Sequence, residues 1–90
     1  MTLEQTVKYM NSSDYKERFI AEYWQLKIRY EKLKKLTTKI ESAERMARPD
    51  LAPNFVGDRA LLCEQQSTMG RYLHLLEVRA VIEGIDLEVN

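Results

Sequence analysis

The chain has 90 residues, of which 14 are basic and 14 acidic, so its formal net charge is zero. A chain of this length forms one domain, residues 1–90, and its neutral balance argues against DNA or RNA binding, which normally requires a basic footprint. Hydrophobic residues make up 44% of the chain, which is too many for a disordered protein.

The sequence also indicates the cellular compartment in which the protein is expected to act. A single cysteine allows no intrachain disulfide, which fits a reducing environment. The N-terminal residues lack the apolar core of a signal peptide, and no run approaches the roughly 18 apolar residues of a membrane helix. We therefore expect a cytoplasmic protein that has no membrane partner.

Glycine and proline positions divide the chain into three helical segments. Residues 1–12 form a short first helix, and residues 13–45, free of both glycine and proline, form a long second helix. Residues 46–57 contain both prolines and are predicted to be the connection. Residues 58–84 form the third helix, which leaves residues 85–90 as a short tail.

Capping residues support these boundaries. Thr2 and Gln5 have the spacing of a capping box. Ser13 is the expected N-cap of the second helix, and Asp58 is the expected N-cap of the third. Gly84 is expected to end the third helix in the left-handed conformation that glycine tolerates.

Heptad spacing predicts how the two long helices pair. Three apolar pairs align in one antiparallel register, as knobs-into-holes packing requires: Leu26 with Leu76, Leu33 with Met69, and Ile40 with Leu62. The predicted fold is therefore all-α, a long antiparallel two-helix hairpin with a short N-terminal helix. Leu33 and Met69 should be buried against each other, and Phe55 and Val56 should pack against the hairpin end.

The layers between the apolar pairs carry polar groups. In the same register Glu22 faces Arg79 and Arg29 faces Tyr72. Such pairs either form a structural salt bridge that fixes the register or line a polar pocket, and the sequence leaves both interpretations open.

A second apolar face remains on each long helix. Its rows lie at the end that holds the chain termini: Ile20, Trp24 and Ile28 on the second helix, and Val78, Ile82 and Ile85 on the third. Soluble monomers avoid large exposed apolar patches. We expect the first helix to cover part of this face, and self-association into a homo-oligomeric helical bundle to cover the rest.

Catalytic and metal-binding patterns are absent from the sequence. His74 is the only histidine and Cys63, expected to be partly buried, is the only cysteine, so neither a zinc cluster nor a Cys-His pair can form. No glycine-rich phosphate loop occurs. The sequence thus predicts a protein that is not an enzyme and that needs neither metal nor cofactor.

Binding chemistry is the alternative to catalysis. Tyr23, Lys27 and Tyr30 lie along one flank of the second helix, and Arg71 and Arg79 come from the third helix nearby. Aromatic faces that stack a base, beside cations that hold phosphate, suit a nucleotide. The competing interpretation is that the tyrosines are aromatics at the core edge and the cations are solvated.

Two further features bear on binding. A basic run is predicted to be a solvated face that could also attract an anion: Lys32, Lys34, Lys35 and Lys39. Ser67, Gly70 and His74 share a face of the third helix. A face of small residues either lets another helix approach closely or leaves room for a ligand.

The sequence resembles a widespread family of small phage and prophage proteins related to a protein of a crAss-like phage. The likeness lies in DYKERF at residues 14–19, continuing as EY, QLK and RYEKL to residue 33. A second block has YL, LEVRA and IEGI between residues 72 and 85. Membership of that family implies a phage accessory protein acting in the bacterial cytoplasm.

Small oligomeric helical phage proteins of similar build bind the nucleotide signals of bacterial defence systems such as CBASS and Thoeris. By that analogy, our first hypothesis is an anti-defence protein that sequesters a cyclic nucleotide or a cyclic ADP-ribose-type signal without cleaving it. The second is a homo-oligomeric helical interaction module that binds a host or phage protein.

Overall fold

Three α-helices make up most of residues 1–88, which the computed structural model describes. Helix α1 comprises Leu3–Met10, α2 comprises Tyr15–Arg45, and α3 comprises Arg59–Glu83. A short 3-10 helix, Pro49–Leu51, lies in the connection between α2 and α3. No strand occurs in residues 1–88, so the all-helical class is confirmed.

Three of the four expected helix caps are present. The Thr2 side chain accepts from Gln5 N and the Gln5 side chain accepts from Thr2 N, which is the predicted capping box. The Asp58 side chain accepts a hydrogen bond from Ala60 N. Gly84 ends α3 at φ 68, in the left-handed region.

The expected N-cap at Ser13 is wrong, because Asp14 caps α2 instead. The Asp14 carboxylate accepts a hydrogen bond from Lys16 N at 2.9 Å. Ser12 Oγ in turn accepts from Asp14 N at 3.0 Å. A carboxylate at this position also interacts favourably with the helix dipole, so α2 begins at Tyr15.

The two long helices lie alongside each other with contacts at both ends. Tyr15, at the start of α2, donates a hydrogen bond to Glu83 at the end of α3. Glu44, near the end of α2, forms an ion pair with Arg59 at the start of α3, with 2.9 Å between their nitrogen and oxygen atoms.

The main core lies at the end that holds the chain termini. Its buried members are Phe19, Ile20, Tyr23, Leu73, Leu76, Ala80 and Ile85. Leu76 is 1% exposed. Leu33 and Met69, expected to be buried, are only half-buried. They lie beyond the core, where two helices alone cannot enclose a side chain.

The terminal segments cover the core from outside the helix pair. Helix α1 packs on α2, as expected, and Gln25 Nε2 donates to the buried Thr6 Oγ1 at 3.1 Å. On the other side, Trp24 Nε1 donates to the Leu87 carbonyl at 2.8 Å, and Ile85 is buried. The last two residues of the predicted tail, 89 and 90, lie outside the described residues.

The connection does not pack as expected. Phe55 is 37% exposed and Val56 is fully exposed. The prediction that both would pack against the hairpin end is wrong, because the main core lies at the opposite end of the helices. Across residues 1–88 no helix combines the length and the apolar character needed to span a bilayer.

Candidate functional site

An open groove of about 300 Å³ lies between α2 and α3, in the half of the molecule nearer the connection. Helix α2 contributes Tyr30, Lys34, Thr37, Thr38 and Glu41. Helix α3 contributes Arg59, Cys63, Gln66, Ser67 and Gly70. Its size lies at the lower end of the range for small-molecule sites.

The groove forms because polar and small residues occupy facing positions of the two helices. The Thr37 hydroxyl donates a hydrogen bond across the helix pair to Gln66 Oε1. Ser67 follows Gln66 directly, and Gly70 lies one turn further along α3. Both leave space beside Tyr30, whose ring lies against the Gly70 backbone. Large apolar side chains at these positions would close the groove.

Positive charge enters the groove from both helices. Lys34 lies on the α2 wall and Arg59 on the α3 wall. Arg59 is paired with Glu44, and the groove carboxylate Glu41 is paired with Arg45. Within residues 1–88 Lys34 forms no ion pair, so its ammonium group is available to an anion.

A second cluster places a cation over aromatic rings. Lys27 Nζ lies 5.0 Å from the Trp24 ring centroid and 5.7 Å from that of Tyr23. The Tyr23 and Trp24 rings meet edge to face at 5.6 Å. Tyr23 is only 6% exposed, so its ring mainly serves the core and has little surface for a stacked base.

The third cluster joins the start of α2 to the end of α3. Arg79 Nε donates to Glu83 at 3.1 Å, Arg79 Nη2 donates to the Tyr15 hydroxyl, and the guanidinium lies 4.9 Å from the Phe19 ring. The hydrogen bond from Tyr15, followed by that from Arg79, lowers the pKa of Glu83. The same Tyr15–Glu83 bond raises the pKa of Tyr15.

The polar side chains therefore form different pairs from those that the register predicted. Arg79 bonds to Glu83, one turn along its own helix, and not to Glu22. Glu22 accepts from the Tyr72 hydroxyl instead, so the expected pairing of Tyr72 with Arg29 is also wrong. A partner at i+4 on the same helix needs no particular interhelical register.

The five expected ligand residues do not meet in one pocket. Tyr30 lines the groove, whereas Tyr23 and Lys27 belong to the aromatic cluster near the core. Arg79 belongs to the terminal network, and Arg71 is exposed on α3. Tyr30 is therefore the one member of the set that lines the groove.

Sequence reasoning missed several groove residues. Thr37 and Gln66 were overlooked, although polar residues that face each other across a helix pair signal a gap in an apolar seam. Lys34 was assigned to a basic run that was predicted to be a solvated face and that could also attract an anion, and it lines the groove. The interpretation of Ser67 and Gly70 as small residues that leave room agrees with their position, while His74 does not line the groove.

The expected oligomer-interface residues fall into two groups. Ile20 is buried in the core, and Trp24 and Ile28 are half-buried. Val78 and Ile82 are 42% and 77% exposed. Ile85, assigned to the same row, is buried, because the chain turns back against the core after Gly84.

Metal ligands do not gather in residues 1–88, where no group of three or more histidine, cysteine or carboxylate side chains could hold an ion. Cys63 is a free thiol on the groove wall and is exposed, not partly buried as expected.

Fold and groove together define a small helical protein with a polar groove, lined in part by one tyrosine, between two long helices. The family model described as Sequestin matches residues 13–82, and the chain belongs to the Sequestin family. The match covers α2, the connection and nearly all of α3. Neither a curated protein nor a solved structure matches the chain.

Proposed function

We propose that this protein is a phage anti-defence protein that sequesters a nucleotide immune signal, of cyclic nucleotide or cyclic ADP-ribose type, without cleaving it. The observation that carries the proposal is the groove, which places an aromatic ring beside a lysine without an ion-pair partner. Tyr30 supplies the stacking surface and Lys34 the phosphate contact. The family name Sequestin is consistent with sequestration of a ligand.

The groove chemistry suits binding without turnover. Hydroxyl and amide groups of Thr37, Thr38, Gln66 and Ser67 can hydrogen-bond ribose or base edges. Cys63 is the candidate nucleophile on the wall, and no histidine lines the groove to activate it. The ligand is therefore expected to leave the protein chemically unchanged.

Self-association belongs to the same proposal. An apolar strip on α3 stays exposed when α2 and α3 pair: Leu75, Val78, Val81 and Ile82. Packing this strip against a second copy would bury it in a homo-oligomer, as soluble proteins with such patches commonly do. Each copy would then carry one groove.

A thermal-shift screen with cyclic dinucleotides, cyclic ADP-ribose and linear nucleotides tests the function. A ligand that binds only the folded state raises the melting temperature, and the stabilisation grows with the logarithm of the ratio of ligand concentration to Kd. We expect at least one cyclic signal to do so and to be recovered intact by chromatography. A panel in which no nucleotide stabilises the protein would contradict the proposal.

Single lysine variants test the site. Lys34→Ala should weaken binding by roughly 10- to 150-fold, since a charge-assisted hydrogen bond is worth about 1.5–3 kcal/mol. Lys32→Ala is the matched control, because Lys32 is exposed on the same helix outside the groove. If Lys27→Ala or Arg71→Ala weakens binding while Lys34→Ala does not, the ligand lies outside the groove.

The exposed strip on α3 also favours a second candidate, a helical interaction module that binds a host or phage protein. Ile82 at 77% and Val81 at 84% exposure are unusual for a face without a partner. This candidate predicts no response to nucleotides. It also predicts that Ile82→Glu abolishes capture of the partner protein without changing the melting temperature of the purified protein.

A further inference from the structure

Gly70 lies in the middle of α3, where glycine costs about 1 kcal/mol relative to alanine. Backbone geometry does not require it there. In residues 1–88 the glycines with positive φ are Gly57 and Gly84, and Gly70 is not among them. The reason for glycine must therefore lie in what surrounds its Cα.

That surrounding is the ring of Tyr30. A Cβ built on Gly70 would lie 3.1 Å from Tyr30 Cε1, 3.4 Å from its hydroxyl oxygen and 3.5 Å from Cζ. These are the three nearest atoms, and all belong to one edge of the ring. Because 3.1 Å is tighter than ordinary Cβ contacts, the ring would have to shift by a few tenths of an ångström.

Both residues line the groove. Tyr30 is half-buried and also packs against the main core, so it offers the groove only the part of its ring that stays exposed. Stacking requires a flat partner at van der Waals distance, and its strength falls when the surface is displaced or tilted. The Gly70–Tyr30 contact therefore controls the feature of the groove that a planar ligand would use.

We propose that Gly70 is a specificity-determining residue, which holds the Tyr30 ring against α3 so that the groove accepts a planar heteroaromatic ring, a nucleobase, stacked on Tyr30. This inference rests on the proposed function, because it assigns the base-recognition surface of the same groove. Lys34, on the same wall one turn along α2, would hold the phosphate of that ligand.

The experiment compares Gly70→Ala with wild type, using Thr68→Ala as the matched control, because Thr68 is exposed on the same helix outside the groove. Calorimetric titrations use cyclic di-AMP, ADP-ribose and the base-free ribose 5-phosphate. Gly70→Ala should lower the affinity for the nucleotides that wild type binds by about tenfold, within the range expected for one stacked base. Ribose 5-phosphate affinity should not change, and Thr68→Ala should retain nucleotide binding to within about twofold.

A Tyr30→Ala background tests the mechanism. Without the ring there is nothing for the added methyl group to displace, so Gly70→Ala should cause no further loss of nucleotide affinity in that background. An equal loss in both backgrounds would overturn the proposal. A loss that extends equally to ribose 5-phosphate would also overturn it, because the substitution would then act on the whole groove.

A ligand-free measurement separates this inference from the proposed function. Gly70→Ala should shift the Tyr30 ring resonances in an aromatic NMR spectrum while the melting temperature stays the same or rises. Unchanged Tyr30 resonances would overturn the assignment. If wild type binds nucleotides and Gly70→Ala binds them equally, this inference alone fails. If wild type binds none of the nucleotides, the proposed function fails and the role of Gly70 in specificity fails with it.

Discussion

The two ends of the helix pair are built differently from the same two helices. At the terminal end, α2 and α3 enclose a core that includes Phe19, Tyr23 and Leu76. Toward the connection the buried hydrophobic residues of the helices are Ile40 and Ala43, and a polar groove lies between the helices. Most of the buried apolar packing lies at the terminal end of the helix pair, and the groove lies toward the connection.

The difference follows from the presence of a third layer. At the terminal end, α1 and the segment after Gly84 pack on the helix pair and complete its core. Two helices alone have no interior, so each needs another element to bury an apolar side chain. Near the connection the short 3-10 helix contacts α2, and polar residues can occupy the facing positions at little cost.

The largest expected effect comes from breaking the terminal core. Leu76→Ala should lower the free energy of unfolding by about 2–5 kcal/mol, because it leaves a cavity around a side chain that is 1% exposed. Leu75→Ala, measured on the monomer, is the control, since Leu75 is 51% exposed in the single chain and its loss should change stability by less than about 0.5 kcal/mol. Urea unfolding followed by circular dichroism measures both, and equal effects would refute the assignment of Leu76 to a buried core at this end.

The segment after α3 offers a second, smaller test. Ile85→Ala should destabilise the protein by about 2 kcal/mol, the lower end of the range for buried isoleucine, because a segment outside the helices can relax into part of the cavity. Trp24 is the only tryptophan, and its hydrogen bond to Leu87 makes its fluorescence a reporter of this packing. Its emission should shift to longer wavelength as the segment detaches.

The matched control for Ile85 is its neighbour Ile82, which is 77% exposed. Ile82→Ala should leave both the free energy of unfolding and the Trp24 emission of the monomer unchanged. A red shift in Ile82→Ala but not in Ile85→Ala would show that Trp24 reports on the exposed strip and not on the terminal segment.

Local signals in the sequence predicted the helices well. The capping box at Thr2, the N-cap at Asp58 and the C-terminal glycine at position 84 each depend on a few neighbouring residues, and all three are present. Ser13 failed because two adjacent residues, Ser13 and Asp14, can both cap a helix. Deciding between them requires the path of the preceding chain.

Features that depend on distant residues were harder to predict. A heptad repeat cannot show where the core ends, so Leu33 and Met69 were expected to be buried although the third layer does not reach them. The groove arises from two polar residues 29 positions apart, Thr37 and Gln66. Neither is unusual in its own helix, and their pairing becomes informative only once the helices are placed side by side.

That pair supplies a third test of the comparison. Thr37→Val combined with Gln66→Leu replaces a hydrogen-bonded pair by apolar groups of similar size, a change that is often neutral or stabilising by about 1 kcal/mol. We expect unchanged or raised stability together with loss of nucleotide binding. Thr37→Val alone is the control, and it should be the less stable variant because Gln66 loses its partner. A double variant that binds like wild type would exclude the groove as the binding site.

The smallest effect is expected at the exposed network of Tyr15, Arg79 and Glu83, where solvent screens the charges. The folded-state pKa of Glu83 is lowered, so its contribution to stability is present above the unfolded value of about 4.3 and is lost as the pH falls through the folded pKa. The pKa of Tyr15 is raised, so its contribution is present below about 10 and is lost as the pH rises through the folded pKa.

Tyr15→Phe should therefore lower the melting temperature slightly near neutral pH, and its difference from wild type should shrink below about pH 4 and above about pH 10. Glu83→Gln should show the same small loss near neutral pH. Its own melting temperature should lack the acid-induced fall that protonation of Glu83 causes in wild type, because the variant has no carboxyl group at this position. A Tyr15→Phe difference that stays constant from pH 3 to pH 11 would contradict the assignment of this effect to the hydroxyl bond between Tyr15 and Glu83.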